Sequence, residues 1–330
     1  MAYTRDVINT VLNQLQARRQ RDETALAERK LKIHSEIPAL QALNTEWRSI
    51  LSSLLTLSSD DDSATKQIKA LKQKTQRIQT ERGTLLQKHG YPTDLFDLPI
   101  YCPLCKDSLV YAGKTCSCVE SLYAQEQRKR LSQMLDLRGQ TFDTFRLSYY
   151  SSQPDAARGM SPAENAELIY QYCRDYATHF SSQSSSLLMI GKPGLGKTFL
   201  SAAIAGEVSK AGYAVVYDSV TTIISVMEGE KFDRNDESEG SAKYLHCDLL
   251  ILDDLGTEMN TPFAQSALYR LVNHRLTKEL PTIVSTNLSK DELSRRYQAS
   301  LTSRLLGAFE VLYFWGEDIR LLKKKASDPD

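Results

Sequence analysis

At 330 residues the chain is longer than one hydrophobic core usually supports, so two or three domains are expected. Lysine and arginine number 41 against 41 aspartate and glutamate, which excludes a polybasic nucleic-acid coat and an acidic solvating tail, though not a smaller local patch. No apolar run approaches the roughly 18 residues that a membrane span needs. The opening MAYTRDVINTVLNQLQARRQ has neither an apolar signal core nor a small-residue cleavage site, so a cytoplasmic protein is expected.

Residues 1–90 hold one proline, Pro38, and almost no glycine. Apolar side chains recur at Ile8, Val11, Leu12 and Leu15, and then at Ile37, Leu40, Leu43, Trp47, Ile50, Leu51 and Leu54. A sparser stripe follows at Ile68, Leu71, Ile78 and Leu85, after a break at Ser58–Ser63. Steps of three and four residues are the helical period, and the block reads as a helical hairpin or short coiled coil. Residues 91–150 carry Cys102, Cys105, Cys116 and Cys118 and then a basic helix from Ser121 to about Leu137. Four thiolates spaced C-x2-C-x10-C-x-C suit tetrahedral zinc, and a closed set of four leaves no position for catalysis. A structural staple for a module too small to hold its own core is expected. Cys173 and Cys247 stand alone and read as small core residues.

Residues 151–330 begin at Ser161-Pro162-Ala163-Glu164, a helix start by its cap, its proline and its acid. Short apolar runs at 187–190, 214–217, 249–252 and 282–285 alternate with helical stretches, which predicts an α/β domain with a parallel sheet flanked by helices. Basic and acidic residues number 15 and 10 in residues 1–90, 7 and 7 in 91–150, and 19 and 24 in 151–330. The neutral total therefore hides a basic N-terminal block and an acidic C-terminal one.

The chemistry concentrates in that last block. Gly191, Lys192, Pro193, Gly194, Leu195, Gly196, Lys197 and Thr198 match G-x-x-x-x-G-K-[ST] between a predicted strand and an alanine-rich helix from Phe199. Backbone N–H groups and the helix N-terminus would cradle ATP phosphates, Lys197 would reach the β- and γ-phosphates, and Thr198 would hold Mg²⁺. Phe199 completes the expected nucleotide surface. The apolar run ending in Asp253-Asp254 supplies the partner acids. Asp253 would hold Mg²⁺, mainly through water, and Asp254 would orient or deprotonate the attacking water. Asn287, at the tip of Thr282–Asn287, could bond the γ-phosphate or that water.

With the two preceding motifs, Asn287 resembles the sensor-1 residue of AAA+ ATPases. Arg304 lies where such proteins place an arginine finger, acting on a neighbour's ATP and so implying a homo-oligomer. Arg320, in Phe314–Arg320, resembles the sensor-2 arginine. The order of cysteine cluster, Thr141–Phe145 (TFDTF), GKPGLGKT, LLILDDLG, VSTN and FWGEDIR resembles the bacterial replicative-helicase loaders, the DnaC/DnaI-type AAA+ ATPases, with the cysteine cluster closer to the DnaI side. One departure is Asp254, where many AAA+ ATPases have a longer glutamate.

The resemblance implies an AAA+ P-loop domain at 151–330, a zinc module and linker at 91–150, and a helicase-binding region at 1–90. It implies ATP-dependent placement of a replicative helicase on single-stranded DNA. Thr221, Thr222, Lys231, Phe232 and Lys243 are candidate DNA contacts, because lysine pairs with phosphate and an aromatic ring stacks on a base. The same stretch carries Asp233, Asp236, Glu237 and Glu239, so a solvated acidic loop is an equal reading. Lys323, Lys324 and Lys325 read as a solvated tail. Two other readings stay open: an IstB-like transposition ATPase acting on duplex DNA with a transposase, and a nucleotide-gated adaptor that does not hydrolyse ATP.

Overall fold

The computed structural model describes residues 3–55, 62–137, 139–232 and 240–322. The chain forms two compact units: Leu12–Ala112, and Met1–Val11 together with Gly113–Asp330.

In the first unit, α1 (Arg5–Glu36) runs well beyond its apolar opening. Pro38 then opens α2 (Pro38–Leu55), a position where a missing N–H costs nothing. The serine-aspartate break falls largely outside the described residues, and α3 (Asp62–Lys88) resumes at Asp62. Ile33, Ile37 and Leu40 meet Leu86 and Phe96 in a small core. Leu86 is fully buried, and Leu85, which the periodicity marked, is partly buried against the same core.

Further along, a short hairpin of β1 (Val110–Tyr111) and β2 (Lys114–Thr115) is followed by α4 (Ser117–Met134), which starts and stops about three to four residues before the expected bounds. α5 (Pro162–Thr178) begins as its sequence dictates: Ser161 accepts from the Glu164 N–H while Glu164 accepts from the Ser161 N–H.

The second unit is built on a five-stranded sheet. The strands are β3 (Leu187–Ile190), β4 (Val215–Ser219), β5 (Leu249–Leu255), β6 (Thr282–Thr286) and β7 (Glu310–Tyr313), all parallel, in the order β4-β5-β6-β3-β7. The helices between them are α6 (Lys197–Lys210), α7 (Val220–Phe232), α8 (Ala242–His246), α9 (Pro262–Thr277), α10 (Lys290–Arg296) and α11 (Ala299–Ala308). Strand alternation divides the core. Leu187, Met189, Leu249, Ile251 and Ile283 face one side with residues of α4, α5 and α6. Leu188, Ile190, Leu250, Leu252 and Val284 face the other with residues of α7, α8, α9 and α11. The sequence signals gave four strands. The fifth, β7, is an edge strand of four residues with both ends exposed, too short and too wet to show a buried run.

β3 lies between β6 and β7, yet the chain leaves it through α6 for β4 at the far edge. That reversal of direction opens a crevice at the carboxyl end of β3, where ligands bind in sheets of this kind.

Candidate nucleotide site and cysteine cluster

The turn after β3 is shaped by Gly194 (φ 77°) and Gly196 (φ 94°), both in left-handed backbone that favours glycine. Space is as restrictive as conformation. A Cβ on Gly196 would lie 2.7 Å from the Tyr150 hydroxyl, and one on Gly194 would collide with the Asp318 carboxylate. The turn delivers Lys197 to the first turn of α6, where the side chain is almost wholly buried. Its Nζ donates to the carbonyls of Gly191 (2.5 Å) and Lys192 (2.9 Å) and to Asn287 Oδ1 (2.8 Å). Burial lowers the Lys197 pKa to about 8, against the opposing pull of Asp254 and Asp253.

Asp253 closes the unbroken buried run of β5 and the half-buried Asp254 follows it. Both Asp253 oxygens are held: Oδ2 accepts from Tyr217 (2.6 Å), Oδ1 accepts from Ser285, and the Thr198 hydroxyl lies 3.3–3.5 Å from the pair. Asp254 has a left-handed backbone (φ 58°), uncommon for a residue with a side chain, and its N–H donates to Ser285 Oγ (3.0 Å). Burial first, and the neighbouring Asp253 second, push its carboxyl above the usual range; Lys197, Arg320 and Asn287 pull the other way. Asn287 Nδ2 lies 3.4 Å from Asp254 Oδ1, so the two predicted strand-tip residues face each other.

These groups border a cleft of about 300 Å³ lined by Pro193 to Phe199, Asp254, Asn287, Ile319 and Arg320. Ile319 N–H donates to the Gly194 carbonyl (3.1 Å), which fastens the C-terminal segment to the loop. Arg320 therefore joins the cleft as expected. Arg304 does not: from α11 it donates to Asn273 Oδ1 (2.8 Å) and the Ser300 carbonyl (3.0 Å) and sits 4.7 Å over the Tyr269 ring.

One wall was not anticipated as such. Gln140, Thr144, Phe145, Arg146, Tyr149 and Tyr150 line the cleft together with the loop residues. Phe145 stacks on Tyr170 (5.4 Å between ring centres, 20°) and meets Phe199 edge-on (5.4 Å). Tyr150 donates to the Leu195 carbonyl (3.0 Å), and burial raises its pKa. The available signal was aromatic density at positions 142, 145, 149 and 150. Tyr217 and Ser285 were also missed, because each looks like an ordinary strand residue until its neighbour across the sheet is known.

The four clustered cysteines come together within one short segment, their sulfurs all within 4.8 Å of one another, and Cys102, Cys105 and Cys116 are buried. Four thiolates at about 2.3 Å from zinc sit about 3.8 Å apart, so this set fits the metal after slight contraction. Asp107 accepts from the N–H groups of Tyr101 (2.8 Å) and Cys102 (2.9 Å) and shapes the first knuckle.

The DNA candidates fare variously. Thr222 bonds locally to Ser219 in the first turn of α7, and Lys243 Nζ lies 3.7 Å from the buried Asp218 carboxylate. The side chains of Lys231 and Phe232, the four acids at 233–239 and Lys323–Lys325 lie outside the described residues.

A phosphate loop, a paired acid, a strand-tip asparagine and a C-terminal arginine converge on one cleft, and residues 171–327 match the family model described as IstB-like ATP binding protein. That match spans a little under half of the chain. The matched region holds the parallel sheet, with the phosphate loop between β3 and α6 as in P-loop folds. The chain is 28% identical to the replicative helicase loader DnaI of Bacillus subtilis (strain 168) over 208 residues, 62% of this chain and 59% of the relative. It is 28% identical to the replicative helicase loader DnaC of Escherichia coli (strain K12) over 146 residues, 43% of this chain. In both comparisons the match spans 59% of the relative's length. A crystal structure of the DnaC helicase loader superposes with a TM-score of 0.45 at 19% identity, covering 55% of this chain and 99% of that one. No described helix is long and apolar enough to cross a membrane.

Proposed function

We propose that the chain is an ATP-dependent loader that places a replicative helicase on single-stranded DNA and is switched by nucleotide binding and hydrolysis. The observation that carries this reading is the cleft itself, in which Lys197, Asp254, Asn287 and Arg320 surround the phosphate loop of an IstB-like ATP-binding domain that is similar to two replicative helicase loaders. Lys197 would exchange its carbonyl partners for phosphate oxygens. Thr198 and Asp253 would hold Mg²⁺, which neutralises phosphate charge when bound. Tyr217 and Ser285 keep the Asp253 carboxylate turned toward Thr198. Asp254, its carboxyl raised into a more basic range, would position and deprotonate the attacking water, with Asn287 beside it. Arg304 stands apart from its own cleft, as a residue acting on a neighbouring subunit's nucleotide must. Cys102, Cys105, Cys116 and Cys118 would hold a structural zinc.

The test is ATP turnover by the purified full chain, with and without single-stranded DNA and a replicative helicase. Weak basal turnover, stimulated by single-stranded DNA and abolished in Lys197→Ala, is expected, together with co-purification of the helicase. Absence of turnover with both partners present would replace this reading with the non-hydrolysing adaptor. The family match also favours one alternative, an IstB-like transposition ATPase; stimulation by duplex DNA in preference to single strands, with no capture of the helicase, would select it.

A further inference from the structure

The carboxamide of Gln140 is an anomaly in the wall of the cleft. Its Oε1 is shielded from solvent and, among the described residues, accepts no hydrogen bond. Buried acceptors are almost always satisfied, and one left without a donor is destabilising enough to need a reason. Gln140 is held in place on both sides. Its own N–H donates to the Asp136 carbonyl (2.8 Å), and the Thr144 hydroxyl donates to the neighbouring Gly139 carbonyl (2.7 Å). A fixed backbone therefore presents a side chain with one acceptor and two donors at the rim of a ligand site. A turn about the last side-chain torsion exchanges its two ends, so the amide can offer either to whatever fills the cleft.

The contents of the cleft decide what meets it. Phosphates belong at the Gly194–Thr198 end, where the loop N–H groups and Lys197 lie. The rest of a nucleotide must then lie along the remaining lining, which includes Gln140, Thr144, Phe145 and Tyr149. Phe145 and Tyr149 are half-buried and give that end of the cleft its apolar, aromatic character. Resting on the nucleotide-site reading above, we infer that Gln140 reads the hydrogen-bonding edge of the base, accepting from the 6-amino group of adenine while its own amide N–H donates to an adjacent ring nitrogen. The base would pack along the aromatic wall that Phe145 begins.

The experiment compares the affinities of ATP and of purine riboside triphosphate, which lacks only the 6-amino group, for wild type and for Gln140→Leu. Wild type should prefer ATP by at least about fivefold, the lower end of what a two-point base contact supplies. In Gln140→Leu the two nucleotides should bind within about twofold of each other, because the analogue leaves no polar partner orphaned. Far-ultraviolet circular dichroism and a thermal melt report whether the variant is folded. If it is not, Gln140→Glu, which keeps an acceptor but loses the donor, should retain a preference for the 6-amino group. An equal affinity of wild type for both nucleotides, or an undiminished preference in folded Gln140→Leu, overturns the assignment of Gln140 alone. Failure of wild type to bind either one overturns the nucleotide-site reading itself.

Discussion

Lys197 is a cation placed where little water can reach it. Its pKa near 8 has burial as the first cause, with the Asp253 and Asp254 carboxylates acting against it. Below pH 8 it carries its charge, ready for a polyanion. As the pH rises through that value the empty site loses the proton, and a triphosphate must recover it from solvent. Nucleotide affinity is therefore expected to be flat below about pH 7.5 and to fall by up to about tenfold per unit above pH 8, with binding accompanied by proton uptake. Titration calorimetry at pH 8.5 in two buffers of different ionisation enthalpy would measure that uptake; identical heats would exclude it. Gly194→Ala is expected to lose nucleotide binding by at least about tenfold while leaving the fold cooperative, because a side chain at φ 77° must also displace Asp318. Much of this was legible from residue order. The loop, Asp253, Asp254 and Asn287 are marked by spacing and by the strand before them, and the structure puts them within reach of one another. Gln140, Tyr217 and Ser285 were not legible. Tyr217 and Ser285 owe their relevance to aspartates 31 to 36 positions away, and Gln140 to a cleft it shares with residues from Pro193 onward; no spacing rule links a strand tyrosine to an aspartate on the next strand.

At the scale of elements, Arg275 is a fully buried charge with no carboxylate partner among the described residues. It is 1% exposed and is satisfied instead by the carbonyls of Tyr244, Cys247 and Pro281 and by the Thr282 hydroxyl. It ties the end of α9 to α8, to the approach to β5 and to the start of β6. Arg275→Met would orphan several buried acceptors and is expected to reduce stability by about 2–4 kcal/mol, read from the midpoint of urea unfolding. The cysteine segment makes a separate claim. About one zinc per chain is expected by elemental analysis. Cys105→Ser should lower that content and raise protease sensitivity around residues 101–118, since the hairpin there has little core of its own. A metal-free, fully ordered segment would count against it. The helical period located α2 and α3 well, but it could not show that α1 continues through a charged stretch to Glu36, because a solvated helix leaves no apolar stripe.

For the molecule as a whole, neutrality of charge is a sum over unlike parts, basic in residues 1–90 and acidic in 151–330. Such a chain is poorly suited to holding DNA by bulk attraction. Binding of single strands is expected to be weak without nucleotide at about 0.15 M salt and to strengthen at least about tenfold with a non-hydrolysable ATP analogue, as fluorescence anisotropy of a labelled oligonucleotide would show. Nucleotide-independent binding of equal strength would contradict it. The sequence blocks at 1–90 and 151–330 also miss a detail of the chain path. Tyr3 donates to the Gly212 carbonyl, and Val7 and Val11 are buried, so the first residues belong to the unit that carries the sheet. A removal of residues 1–90 would strip packing from that unit as well as delete helices.

The closure of the phosphate loop by the C-terminal segment has a kinetic side. Asp318 sits against Gly194, Ile319 is bonded to the Gly194 carbonyl, and Arg320 reaches the same cleft. If a nucleotide binds this cleft as proposed, its departure would require the contacts near residue 319 to open as well as release of the phosphates. Affinity and dwell would then depend on different parts of the chain, the loop for one and the C-terminal segment for the other.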